Sequence, residues 1–231
     1  MGLRVAIDLD GTIADLSRAM HGVATTYFGE ARTASPEPAS DPADDAGAPA
    51  PADRPSLRDL GLRPSELNAL WTEVLRTKNF WTTLEEMEAG VVTRIADLAA
   101  ERRWDVLFIT TRPTATGATT QVQSQEWLAA KGFTHPSVYV VKGSRGKVAA
   151  ALDLDAVVDD RPEHCLDVAT ESRAKAVLVW PGPTEALGPG VAGHGVIVTR
   201  SIGAAIDQLV DMDRARRGGV VQSIRRLFRK R

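Results

Sequence analysis

Residues 3–9 read LRVAIDL, a nearly unbroken apolar run with acids at its far end. A strand covered on both faces has this signature, because neither side of the pleat meets water. WDVLFITT (104–111), SVYVV (137–141), AVVDD (156–160), AKAVLVW (174–180) and VIVT (196–199) repeat it. Between these runs the apolar spacing becomes that of a helix. Residues 15–28 predict a first helix, with Asp15 or Ser17 near its start. RPSELNALWTEVLR (63–76) puts Leu67, Leu70, Trp71 and Val74 on one face and Pro64 in the first turn, where its missing N–H costs nothing. NFWTTLEEM (79–87) reads as an aromatic connector. GVVTRIADLAAERR (90–103) repeats Val91, Ile95, Leu98 and Ala99 at helical spacing. Further helices are expected up to Lys131-Gly132, over GKVAAAL (146–152), over about 163–172 and over 201–212. Strands alternating with helices predict an α/β fold built on a doubly wound parallel sheet.

One stretch obeys neither period. Residues 31–56 hold six Pro, eight Ala and five acids, and no large aliphatic or aromatic side chain. Such a segment buries too little to offset its ordering entropy and is expected to be disordered. The remaining composition is that of a globular chain, with 43% hydrophobic and 25% charged residues among 231. The net charge of −2 conceals an asymmetry: residues 214–231 carry eight Arg and Lys and no acid, so residues 1–213 hold 20 basic and 30 acidic residues. Cys165 is the single cysteine, which rules out an intramolecular disulfide and suits a reducing compartment. Asp8 and Asp10 interrupt the first apolar run, so it is no signal peptide, and no run approaches a membrane span. A cytoplasmic location is expected.

The chemistry gathers where strands end. VAIDLDGTIAD (5–15) sets Asp8, Asp10 and Asp15 within eight residues. Asp-Gly is also a turn signal, so a plain strand-to-turn junction is the simplest alternative. Ligands of open parallel sheets bind beyond the carboxyl ends of the strands. The first strand delivers Asp8 and Asp10 there, the second Thr110, Thr111 and Arg112, and a later one Asp159 and Asp160. Lys147, with Lys142 nearby, adds a cation. Crowded carboxylates call for a cation among them, and all-oxygen ligands without a His/Cys cluster point to Mg²⁺. Hydroxyls and a lysine on the rim suit phosphate oxygens. The set reads as a phosphoryl-transfer site.

The order D-x-D-G-T, a strand ending in Thr, a Lys, then a strand ending in Asp-Asp resembles the haloacid dehalogenase-like (HAD) superfamily of phosphohydrolases over most of residues 1–210. The resemblance implies a Rossmann-like core over 1–14 and 89–213, with a small helical cap over 15–88 inserted after the first strand. It implies that Asp8 is the nucleophile and Asp10 the general acid and base, and that Thr110 and Lys147, with Lys142 as rival, hold the phosphoryl group. Asp8, the backbone carbonyl of Asp10, and Asp159 or Asp160 would ligate Mg²⁺. Gly11 and Thr12 would let the backbone approach the phosphate, with Thr111 as a further phosphate contact and Arg112 as either a phosphate contact or a cap of the loop. KNFWTTLEEMEAGVVTRIADLA (78–99) and VVDDRPEHC (157–165) are similar to segments of the 5'(3')-deoxyribonucleotidase branch, whose aromatic cap residues form a slot for the base. Phe80 and Trp81 match those positions, with plain cap core as the alternative. TTRP at 110–113, where that branch often has Thr-Ser-Pro, and the insert at 31–56 depart from the pattern. The expected function is a Mg²⁺-dependent 5'-nucleotidase acting on (deoxy)nucleoside monophosphates. A phosphatase or phosphomutase acting on another small phosphate ester is the alternative.

A receiver domain is disfavoured, since LFITT (107–111) ends without an acid. His164, close to the acid pair, reads as a surface histidine, with tuning of the pair or a substrate contact as the alternative, and His21, His135 and His194 are scattered. Asp15 reads as a helix cap. GGVVQSIRRLFRKR (218–231) follows a Gly-Gly hinge and patterns as a basic amphipathic tail for an anionic surface, a nucleic acid or an acidic partner. A binding module with a vestigial core is the competing class. The retention of Asp8, Asp10, Thr110, Lys147 and the Asp159-Asp160 pair argues against it.

Overall fold

A computed structural model describes residues 2–29 and 62–228, with side chains of the last helix described as far as Gly218. The insert at 31–56 and the apolar face expected over residues 220–228 therefore lie outside the described residues or side chains. Strands β1 (Arg4–Asp8), β2 (Asp105–Thr110), β3 (Ser137–Val140), β4 (Ala156–Asp159), β5 (Lys175–Val179) and β6 (Ile197–Thr199) form one sheet in the order β3-β2-β1-β4-β5-β6. All strands are parallel. Helices flank them: α1 (Leu16–Phe28), α2 (Pro64–Arg76), α3 (Val91–Arg102), α4 (Thr120–Ala130), α5 (Arg145–Ala151), α6 (Pro162–Glu171), α7 (Pro189–Gly193) and α8 (Ile202–Phe228). The strand order reverses between β1 and β4, which is where open α/β sheets bind their ligands. Register there sets Ile7 opposite Val158, and an aspartate follows each. Among the described residues no helix is long and apolar enough to cross a membrane.

The chain divides into two compact units. One comprises Met1–Ile7, Arg94–Val106 and Ser144–Arg231. Val5, Ala6, Val157, Val158, Val177 and Leu178 are buried there, as continuous apolar strands require. Its helices α5 and α6 meet almost backbone to backbone: a Cβ on Gly146 would lie 2.1 Å from the Asp167 carbonyl oxygen. The helix expected to stop at 212 continues through Gly218 and Gly219 to Phe228. Two glycines cost a helix only about 1 kcal/mol each relative to alanine, and the turn before them is tied down. Asp213, fully buried, accepts from Arg102 at 3.2 Å and from Arg217 at 3.0 Å, while Arg217 also donates to the Arg102 carbonyl at 2.6 Å.

The other unit comprises Asp8–Thr93 and Leu107–Gly143. Asp15 caps α1 by accepting from the Arg18 amide at 2.9 Å, as expected; α1 packs on α2, and Met20 of the first and Leu70 and Val74 of the second are buried. The expected connector contains one 3₁₀ turn, Phe80–Thr82, packed on α4. Helix α4 ends where Gly132 takes φ +105°, a left-handed cap that suits glycine.

Candidate active site

The acid turn after β1 is built by short-range hydrogen bonds. The amides of Ile13 and Ala14 donate to the Leu9 carbonyl at 2.9 and 2.7 Å, and Gly11 donates to Ala14 at 2.9 Å. Gly11 takes φ +85°, so the Asp-Gly pair is both a tight turn and the carrier of the acids. Asp8 and Asp10 are 7% and 8% exposed, and Thr12 is fully buried. Burial of two carboxylates one residue apart is costly unless each is matched, so the turn is more than a linker.

Asp10 is matched by Arg112. The guanidinium donates to both carboxylate oxygens, from Nη2 to Oδ1 at 2.7 Å and from Nε to Oδ2 at 2.8 Å. Its Nη1 donates to Ser124 Oγ at 2.9 Å. Thr110, at the end of β2, lies with Oγ1 at 3.4 Å from Asp10 and also accepts from the Arg112 amide at 3.2 Å. Thr111 is half-buried beside it. Asp10, Thr110 and Arg112 thus come together, as the sequence implied. The Arg112 fork is directed at Asp10.

Phe80 and Trp81 do not form an open slot. Trp81 is buried, donates from Nε1 to the Pro113 carbonyl at 3.1 Å, and has Arg112 over its ring at 4.9 Å. Its amide donates to Gln123 Oε1 at 3.1 Å. A ring covered in this way offers no face to a base, so Trp81 is core. Phe80 is also buried, but it reaches the wall of a cavity of about 470 Å³ between α1 and α2, where Tyr27, Thr26 and Glu73 also line.

The second acid strand end has its own surroundings in the other unit. Asp159 is buried; the Arg161 amide donates to Oδ1 at 2.9 Å, and His164 Nδ1 lies 3.0 Å from Oδ2. Arg145 Nε stands 3.6 Å from the same oxygen, and Arg145 is buried while Lys147 is exposed. Ser144 sets this phase by capping α5, accepting from the Lys147 amide at 3.2 Å. The cation beside the acid pair is therefore Arg145; Lys147 and the exposed Lys142 are not brought to Asp159. His164 is an acid contact rather than a surface histidine. Asp160 is half-buried. Burial raises the Glu163 pKa, but its own amide and the Arg161 guanidinium outweigh this and hold it below the usual value.

The sequence expectation gathers Asp8, Asp10, Asp159 and Asp160 around one ion. Among the described residues no three His, Cys, Asp or Glu side chains gather as a metal site. The carboxylate of Asp10 faces Arg112, and that of Asp159 faces Arg145 and His164.

No family model and no curated protein matches the chain. Solved structures align with it at low identity. They include a hydrolase from Pseudomonas syringae, 10% identical over 90% of this chain and 98% of that one, with a TM-score of 0.48. A HAD family hydrolase from Deinococcus radiodurans R1 with bound phosphate and sodium is 15% identical over 89% and 95%, with a TM-score of 0.49. The chain is likewise similar to a haloacid dehalogenase-like family hydrolase from Xanthomonas campestris, 14% identical over 90% and 96%, with a TM-score of 0.47.

Proposed function

We propose that the chain is a phosphatase of the HAD type, and more narrowly a 5'-nucleotidase acting on (deoxy)nucleoside monophosphates. The observation that carries this reading is the buried pair Asp8 and Asp10 on one tight turn at the carboxyl end of β1, with Thr110 beside Asp10. In the reading, an Asp8 carboxylate oxygen attacks phosphorus and the ester oxygen leaves with a proton from Asp10. Asp10 then takes a proton from water, which attacks the aspartyl-phosphate, releases phosphate and restores Asp8. Thr110 binds the phosphoryl oxygens, and Gly11 and Thr12 let the backbone approach them.

Mg²⁺ fits this site in a reduced form. It needs one or two carboxylates with water and substrate oxygens. Asp8 and the carbonyl of Asp10 would hold it, and it would supply charge neutralisation at the phosphoryl group.

The nucleotide specificity rests on the cavity between α1 and α2, where Phe80 and Tyr27 give aromatic lining. With Trp81 withdrawn into the core, another small phosphate ester remains the second reading. Phosphate release with Mg²⁺ over a panel of nucleoside monophosphates and sugar phosphates tests both. The expected result is selective turnover of deoxynucleotides, lost in Asp8→Asn and on chelation with EDTA. Turnover confined to sugar phosphates would keep the mechanism and remove the nucleotidase assignment. A folded protein that cleaves no ester would favour a binding module.

A further inference from the structure

Arg112 is a buried guanidinium engaged on three sides. Its Nε and Nη2 form a fork on the Asp10 carboxylate, with bonds of 2.8 and 2.7 Å, and its Nη1 donates to Ser124 Oγ at 2.9 Å. Ser124 is itself fixed, donating to the Thr120 carbonyl at 2.8 Å. Two indole rings lie beside the group, Trp81 at 4.9 Å and Trp127 at 5.9 Å. Each ring is pinned by its N–H: Trp81 to the Pro113 carbonyl at 3.1 Å, Trp127 to the Leu84 carbonyl at 2.7 Å. A planar fork hydrogen-bonded in this way has one orientation, so the carboxylate it grips has one orientation too.

We propose that Arg112 is the positioning residue that aims the Asp10 carboxylate, and that it is not a ligand of the substrate phosphate. The proposal rests on the reading of Asp10 as proton donor and acceptor. Nothing in the position of a carboxylate at a strand end fixes its torsion; Arg112, backed by Ser124, Trp81 and Trp127, does so. Loss of the fork therefore costs proton transfer to the leaving group and leaves phosphate binding intact.

Leaving groups separate these roles. An alkoxide needs a proton as it departs, whereas para-nitrophenolate leaves without one. Arg112→Lys keeps the charge and loses the fork. Its kcat/KM for the alkyl ester of the panel turned over fastest is expected to fall on the order of 100-fold, the scale of general acid catalysis. Its kcat/KM for para-nitrophenyl phosphate should fall far less, and the inhibition constant of inorganic phosphate should stay within about threefold of the parent. Ser124→Ala removes one support and leaves the fork; it should show the same selective loss at smaller size, and it carries the test should circular dichroism show Arg112→Lys unfolded. Equal losses on both esters, or weaker inhibition by phosphate, would overturn the positioning role. Failure of the underlying reading looks different: a folded parent protein that cleaves neither ester overturns the phosphatase assignment and the role given to Arg112 with it.

Discussion

Asp10 and Asp159 are buried carboxylates that face different cations, Arg112 at 2.7 Å for the first and Arg145 at 3.6 Å for the second. Each partner offsets part of the cost of taking a carboxylate out of water. The cation beside Asp159 therefore has a stronger claim on function than its exposed neighbour. Arg145→Ala is expected to lower kcat/KM for phosphate esters on the order of tenfold or more, and Lys147→Ala to change it by less than about threefold. Steady-state kinetics on the two variants, with a melting curve for each, decides the assignment. The acids were legible because Asp-Gly behind an apolar run is a local pattern. The cations were not. Two residues along a helix turn a side chain by about 200°, so choosing Arg145 over Lys147 depends on the phase that Ser144 sets. Arg112 was visible as a charge near the acids, but its partner lies 102 residues away and its orientation depends on two tryptophans that only packing brings to it.

Helix α8 is the element that sequence punctuation misjudged. Gly218-Gly219 reads as a hinge, yet the helix runs on to Phe228. A glycine pair weakens a helix by propensity alone, and the turn around Asp213 is held by two arginines. Burial raises the Asp213 pKa, but bonds from Arg217 and Arg102 outweigh it, so folding depresses the value. A depressed carboxylate contributes stability that is present above its unfolded value, about 4, and is lost as pH falls through the folded value. Asp213→Asn should therefore lower stability by about 1–3 kcal/mol near neutrality. Thermal melts of parent and variant should draw together as pH falls below about 4 and converge once it is below the folded value. The other elements followed their patterns more closely. Asp15, Pro64 and Gly132 mark helix ends where their chemistry demands, and each apolar run became a strand within a residue or two. Helix α7 and the 3₁₀ turn at Thr184–Ala186 escaped, being too short to show a period.

At the scale of the molecule, the sheet joins distant pieces of chain. Ala6 pairs with Val157 across β1 and β4, and Arg4 donates to Asp155 over a separation of 151 residues. Parallel sheets of this kind must close long loops before their contacts repay the lost entropy. Refolding of the whole protein from denaturant, followed by tryptophan fluorescence, should occupy milliseconds to seconds or longer, not microseconds. The separation of Asp10 from Arg112 has a counterpart during synthesis. At roughly 5–20 residues per second, Asp10 emerges from the ribosome about 5–20 s before its guanidinium exists. For that interval the acid end of β1 has no Arg112 to neutralise it, and water is its best solvent. The same acid turn that Arg112 neutralises in the folded protein therefore opposes early burial of the first strand in the unfinished chain.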